Sequence, residues 1–494
     1  KVPGDMFYAA VNKSPSNSIW TDADGLFAYL ARVQSFMSAG VPDNDFLLYF
    51  PQEDVWFSQQ GAPYLMFDIH KMNLRMPSAK AAVNAIINAG YDCDYLSDSL
   101  MMRLSVGTDG KIKAAAGDAQ YQAIVVPEMK VVSPSTLKQL INLAEKGATV
   151  VFAGELPNDV PGLANRNANL KELHKLLKKI PSKKGVKQPF GKGYIILAPT
   201  VDACLELTGA QREPMRTDNG LTLLRRRNEV GGYNYFVSLL NDRPIDGWVD
   251  LGTKAEEIVL FDPLTGDRGF AGIRKSDNGN AQVRLQLAPG QSMLLKTFPK
   301  IKQNLSKPRH KAEIGPWKYV ASRGDAIQAS GQWRLSFPIS EPAIADTFAL
   351  AAPVDWTTLP NDSLKVNFGT GRYTATFTIP DVSDADDYIL DLGDVRESAS
   401  VRINGQEVGK LWSVPFEVRI GEYLRDGDNV IEIDVTNLQI NRIIDFEKRG
   451  VKWRVFKDAN VASVTNAKQF SFADWDLAPA GLLTAPAIYP VKHE

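Results

Sequence analysis

The sequence predicts a multidomain chain of mixed class, α/β plus all-β, in which a parallel α/β domain precedes domains built only of strands. Three observations carry this. The 494 residues exceed the ~250–300 at which a single core stops growing, so two to four domains are expected. Apolar runs alternate with helix-period segments between residues 43 and 185. Beyond about 186 the pattern turns to β, and from about 301 turn signals recur every ~8–12 residues, the spacing of a sandwich.

In the first region, 1–42, the run 6–11 reads as a buried strand and 12–17 as a polar loop. Asp22 or Asp24 then caps a helix whose apolar residues Leu26, Phe27, Leu30, Val33 and Met37 recur at helical spacing. Gly40 closes it, with Pro42 just beyond. One strand and one helix cannot bury a core, so this piece must dock on the next domain or on material upstream.

The second region, 43–185, opens with a nearly continuous apolar run over 45–50, as a strand buried on both faces requires. A helix over 78–89 ends at Gly90, and strands follow at 91–96 and 123–126. A helix over 134–146 starts after Ser133 and stops at Gly147, with Leu137, Leu140, Ile141 and Ala144 on one face; the fourth strand is 148–152. Such alternation implies right-handed crossovers and a doubly wound parallel sheet.

The third region, 186–300, carries strands at 233–239 and at the alternating Val283, Leu285 and Leu287, with a turn at Pro289-Gly290. In the fourth, 301–494, Tyr373, Ala375, Phe377 and Ile379 alternate with polar residues as in a half-buried strand. Asn404-Gly405 is a strong hairpin signal, and Asp426-Gly427 precedes Val430, Ile431, Ile433 and Val435.

Fifty-six basic and 57 acidic residues give a net charge of −1. Neither nucleic acid nor an anionic membrane surface is indicated, because both call for a basic face. No apolar run approaches the ~18 residues of a membrane span. Cys93 and Cys204, assigned to different domains, are expected to be free and buried. Two cysteines and four scattered histidines do not make a zinc site. The start at Lys1, without Met or signal peptide, reads as a mature product or a fragment of a longer polypeptide.

No GxGxxG, Walker or GxSxG string is present, which argues against phosphate cradling and a nucleophile elbow. The tip of the first α/β strand, with Glu53, Asp54 and Trp56, lies where open α/β sheets place ligands. Carboxylates bind sugar hydroxyls and indole stacks on the ring, so a sugar site is one reading; a solvated loop with a packed Trp is the other. Asn12, Trp20 and Asp22 have the same polar-plus-indole character. Trp412, Trp453 and Trp475 are either core or a glycan platform. Asp391, Asp394, Asn404 and Asn437 could serve calcium, although turn chemistry explains them as well.

Several strings together carry a resemblance. Tyr29-Leu30-Ala31-Arg32-Val33-Gln34-Ser35 leads to Pro42-Asp43-Asn44-Asp45 and Tyr49-Phe50-Pro51. Val125-Val126-Pro127, Phe261-Asp262-Pro263, Asp391-Leu392-Gly393-Asp394-Val395, Gly409-Lys410-Leu411-Trp412 and Asn441-Arg442-Ile443 follow in order. The set resembles glycoside hydrolase family 106, the α-L-rhamnosidases. The resemblance implies that 1–42 is the last strand and helix of a (β/α)8 barrel. It implies that 43–185 is a flavodoxin/glutamine-amidotransferase-like domain similar to a β-galactosidase trimerisation domain. It further implies a small β domain over 186–300, and over 301–494 a galactose-binding-like jelly roll similar to the family-2 sugar-binding domain. The segment 479–486 departs from the family pattern where Ser and Gly are expected, which leaves open a different sugar preference.

The family implies inverting hydrolysis by two carboxyls ~6.5–9.5 Å apart, helped by calcium. Those carboxyls come mainly from barrel strands preceding Lys1, so no catalytic residue is assigned here. The implied function is a C-terminal, non-catalytic or accessory portion of a hydrolase of α-L-rhamnosides in complex glycans, periplasmic or secreted. Its partners would be the glycan and the upstream barrel. The alternatives are a carbohydrate-binding module without a hydrolytic role, or architectural and oligomerisation domains.

Overall fold

The computed structural model describes Pro15 and residues 17–57, 77–114, 117–299, 314–453 and 471–494. The expected strand at 6–11, and Asn12, lie outside the described residues.

The α/β sheet has six strands in the order Cys93–Leu96, Phe46–Tyr49, Ala123–Val126, Thr149–Ala153, Gly193–Ala198, Lys187–Phe190. The first five pair in parallel and the last is antiparallel. Numbered along the chain, the parallel strands lie in the order 2-1-3-4-5. Three of them are buried at every residue, because helices cover both faces. Leu47, Ile124 and Val150 join one core with Leu137 and Leu173; Phe46, Val125 and Val151 join another with Ala82 and Ile86. Ser133 caps the helix Pro134–Glu145 by accepting the Thr136 amide.

Three features here differ from the sequence expectation. The helix Arg166–Leu177 has only two buried residues, Leu173 and Leu176, too few to print an apolar stripe. The run Gly193–Ala198 pairs in parallel with Thr149–Ala153, so the boundary expected near 185 falls inside this sheet. Cys204 and half-buried Cys93 belong to the same core cluster rather than to different domains, and both are free.

Next comes a six-stranded antiparallel sheet that faces a three-stranded one. Ala281–Leu287 alternates buried and half-buried residues, placing Val283, Leu285 and Leu287 against Tyr235, Leu260 and Leu295. Val41–Pro42 forms the edge of the larger sheet, opposite Arg226 and Arg227.

The C-terminal sandwich packs a six-stranded sheet, with Phe368–Ile379 and Gly427–Thr436 at its centre, against a four-stranded one. Trp333, Trp356, Tyr373, Phe377, Ile431 and Ile433 fill the space between them. Asn404 and Gly405 have φ of 51° and 81°, the left-handed pair that lets a two-residue loop join Ser398–Ile403 to Gln406–Leu411.

The helix Ala23–Met37 buries none of its own residues, yet it is gripped from two sides. Toward the small β unit, Tyr29 Oη lies 2.9 Å from Ser292 Oγ, and Arg32 donates to the carbonyls of Pro263 and Leu264 at 2.9 and 2.8 Å. Phe36 meets Phe261 edge-on. Toward the C-terminal sandwich, Asp24 pairs with Lys410 at 2.6 Å, and the Tyr29 ring packs edge-on against Trp412. Gly25 admits the Lys410 side chain within 3.0 Å of where a Cβ would stand.

Candidate functional site

The structure sends the five described site candidates to two separate places. Asp22 is 5% exposed and accepts the Ser398 hydroxyl at 2.5 Å. It makes no capping hydrogen bond to its own helix, because its carboxylate is committed to the sandwich. Burial raises its pKa, against the pull of Ser398 and Lys410. Trp20 is exposed and edge-on to Phe27.

Glu53 and Asp54 open the short helix Gln52–Phe57 at the carboxyl end of the first α/β strand. Glu53 accepts the Ser133 amide at 3.0 Å, and Asp54 accepts the amides of Lys130 and Val131 at 2.7 and 2.8 Å. Asp98 accepts hydrogen bonds from Tyr49 and Thr136. The crevice at the point where strand order reverses, the usual ligand position of such sheets, is thus closed by the chain's own carboxylates. Glu53 stands at the N-terminus of Pro134–Glu145, where an anion is favoured. Burial and the Asp98 charge raise its pKa. Trp56 remains 66% exposed while its acidic neighbours are engaged.

The proposed calcium residues do not converge. Asp391 accepts the Gly393 amide and Asp394 pairs with Arg396. Asn404 bonds the Tyr423 carbonyl, Asn429 and the Val430 amide, and Asn437 bonds Gly369 and Asn367. Among the described residues no group of three or more His, Cys, Asp or Glu is placed to hold a metal. Burial pushes both thiols up to about 12, so neither is a nucleophile at neutral pH. Of the three tryptophans considered as platforms, Trp412 packs on Tyr29, while Trp453 and the exposed Trp475 flank Phe472.

Two well-formed concavities lie elsewhere, where the helix Ala23–Met37, the turn at 262–268 and the C-terminal sandwich meet. Two cavities of 760 and 710 Å³ adjoin there and share Leu264, Thr265, Asp267, Trp317, Lys318 and Arg419. Arg419 fixes one wall by bonding Asp387 at 3.0 Å and the Lys318 carbonyl at 3.0 Å. Sequence reasoning missed this cleft because its walls come from segments far apart in the chain. The only local cue is the polar turn at 262–267.

A second cluster of charge lies between the α/β sheet and the small β unit. Arg225 is held by Asp43, Glu213 and Asp45 at 2.7, 3.2 and 3.4 Å. Burial pushes the Asp45 carboxyl up to about 6, opposed by Arg225.

These features define a multidomain, β-rich chain with two concave inter-unit clefts. The chain belongs to glycoside hydrolase family 106, the α-L-rhamnosidases, whose family model matches residues 1–271. Residues 361–484 match the galactose-binding-like domain of family-2 glycosyl hydrolases. The structure is similar to that of a rhamnosidase from Novosphingobium sp. PP1Y, with a TM-score of 0.69 and 20% identity over 97% of this chain and 42% of that one. A putative beta-glucuronidase of Formosa agariphila is 32% identical over 186 residues, 35% of this chain and 16% of that protein. The chain thus spans less than half the length of either relative.

Proposed function

We propose that this chain is the C-terminal, accessory portion of a glycoside hydrolase acting on α-L-rhamnosides in complex glycans, with its catalytic carboxylates outside residues 1–494. The observation that carries this reading is the double grip on the helix Ala23–Met37. Phe27 and Leu30 of that helix, and Trp20 just before it, stay exposed, which suits the last helix of a barrel whose remaining strands lie upstream. The committed state of Asp22, Glu53 and Asp54 supports it. So do the family match over the N-terminal half and the 42% of the related rhamnosidase that the chain spans.

In this reading the units are the barrel end (1–42), an α/β domain, a small β domain and a jelly roll. The 2-1-3-4-5 strand order supports a flavodoxin-like arrangement for the α/β domain. The protein acts in the periplasm or outside the cell, and among the described residues no helix is long and apolar enough to cross a membrane. An architectural role for the α/β and β units accompanies this function; the two β units grip the helix that leads back to the catalytic domain.

The test is an assay on an aryl α-L-rhamnoside. No turnover is expected from this chain alone, and inverting turnover is expected from a polypeptide that carries the preceding sequence. Turnover by this chain alone would overturn the reading.

A further inference from the structure

The cleft between the helix Ala23–Met37, the 262–268 turn and the C-terminal sandwich has no part in the hydrolysis just described. Its 760 Å³ lies in the ~300–1,000 Å³ range of small-molecule sites. Its lining is mixed: Leu264, Val408, Val418 and Trp317, which also packs on the core of the small β unit, occur among many charged groups.

The charges sort into two sets. Asp24–Lys410 and Asp387–Arg419 are ion pairs that build the walls. Asp267, Arg268, Lys318 and Glu407 also line the cleft, and among the described residues their side chains meet no ion-pair or hydrogen-bond partner. Two free cations and two free carboxylates leave no net charge to attract a polyion. The whole lining is close to balance, with six carboxylates against five cations.

Free donors and acceptors of both signs, an indole and apolar side chains in one cleft fit a ligand with hydroxyls on its edges and C–H bonds on its faces. Trp317 is held in place by its own amide, which donates to the Phe270 carbonyl at 2.8 Å. We propose that this cleft binds a neutral oligosaccharide, with Trp317 as the stacking surface and Asp267, Arg268, Lys318 and Glu407 as its hydroxyl partners. The proposal rests on the glycan reading above and adds to it a place where a saccharide is held by the accessory units themselves.

Gly409 supplies a clean test. It lines the cleft, and a Cβ there would meet nothing within 4 Å. Gly409→Trp therefore fills the cleft from a strand position that tolerates an aromatic. The full chain and its variants are titrated with methyl α-L-rhamnopyranoside and with maltotriose by ligand-observed NMR, and each variant is melted to check its fold. At least one probe is expected to bind the parent chain. Gly409→Trp and Trp317→Ala are each expected to weaken that binding about tenfold or more, as loss of a central aromatic contact does, while Trp56→Ala leaves it unchanged. A folded Gly409→Trp variant that binds as the parent does would overturn the site, and so would a parent chain that binds neither probe. Either result leaves the hydrolase reading standing, since that is decided by turnover of the aryl rhamnoside.

Discussion

Replacing Arg225 by Met is expected to loosen the seam between the α/β sheet and the small β unit by about 3–5 kcal/mol at pH 8, the usual cost of stripping one partner from a buried ionic cluster. The side chain of Arg225 is 11% exposed and that of Glu213 only 3%. At an effective dielectric of ~20, each carboxylate near the guanidinium gains ~4 kcal/mol of gross attraction. Desolvation of Arg225 offsets much of that sum, but its removal leaves Asp45 and Glu213 without a cation, Asp43 alone keeping Arg227 at 3.4 Å. The amides of Glu213 and Gly252 report on the seam: the first donates to the Gly90 carbonyl at 2.7 Å and the second to Glu213 Oε1 at 2.7 Å. Their hydrogen exchange should accelerate between ~100- and ~5,000-fold, the same energies at 1.36 kcal/mol per decade.

The pH dependence of that loss has a definite sign. Asp45 titrates at about 6 in the folded chain and near ~3.9 unfolded. The folded state therefore holds the proton more tightly, and ionising Asp45 costs stability as pH rises through that window. Without Arg225 the Asp45 and Glu213 carboxyls rise further, so the penalty should be largest above pH ~7 and shrink toward pH ~5. A penalty under ~1 kcal/mol at pH 8, or one that is flat from pH 5 to 8, would refute the reasoning.

Asp22→Ala should cost ~1–3 kcal/mol by leaving the buried Ser398 hydroxyl without its acceptor, whereas Asp22→Asn should melt within ~1 kcal/mol of the parent; thermal denaturation separates the two. Asp54→Ala leaves the Lys130 and Val131 amides unpaired and should lower the melting temperature of the α/β unit without altering saccharide affinity. An affinity loss in a folded variant would restore Asp54 as a ligand residue. Gly371→Ala places a methyl 2.6 Å from the Trp356 ring and should cost ~1–3 kcal/mol through overpacking of the sandwich core, read as a shift in its urea midpoint.

What could be read in the sequence was whatever repeats locally. Phe46–Tyr49, Ala123–Val126 and Thr149–Ala153 announce themselves because both faces are buried and every residue but Thr149 is apolar or aromatic. The turn at Asn404-Gly405 does so because its left-handed φ values restrict the residue types it accepts. The helix Arg166–Leu177 was hidden by a mostly polar surface. The roles of the acidic residues were hidden by distance: Glu53 meets Ser133, Asp22 meets Ser398 and Arg225 meets Asp43. Carboxylates beside tryptophan read as a sugar site until their partners are known, and those partners are backbone amides and a core hydroxyl. The cleft carries no motif at all, because it exists only where three segments meet.

The helix shared by the two β units has a consequence for how such proteins can be recombined. Because Asp24, Gly25 and Tyr29 are matched to Lys410 and Trp412, a sandwich grafted from a relative at the boundary expected near residue 301 would arrive without its half of that match. A chimera that exchanges residues 17–42 together with the sandwich keeps the pairing intact, although it must then be refitted at Ser292 and Pro263. The inheritable module is therefore discontinuous in sequence, and crossovers within this family should spare the helix and the sandwich as one unit.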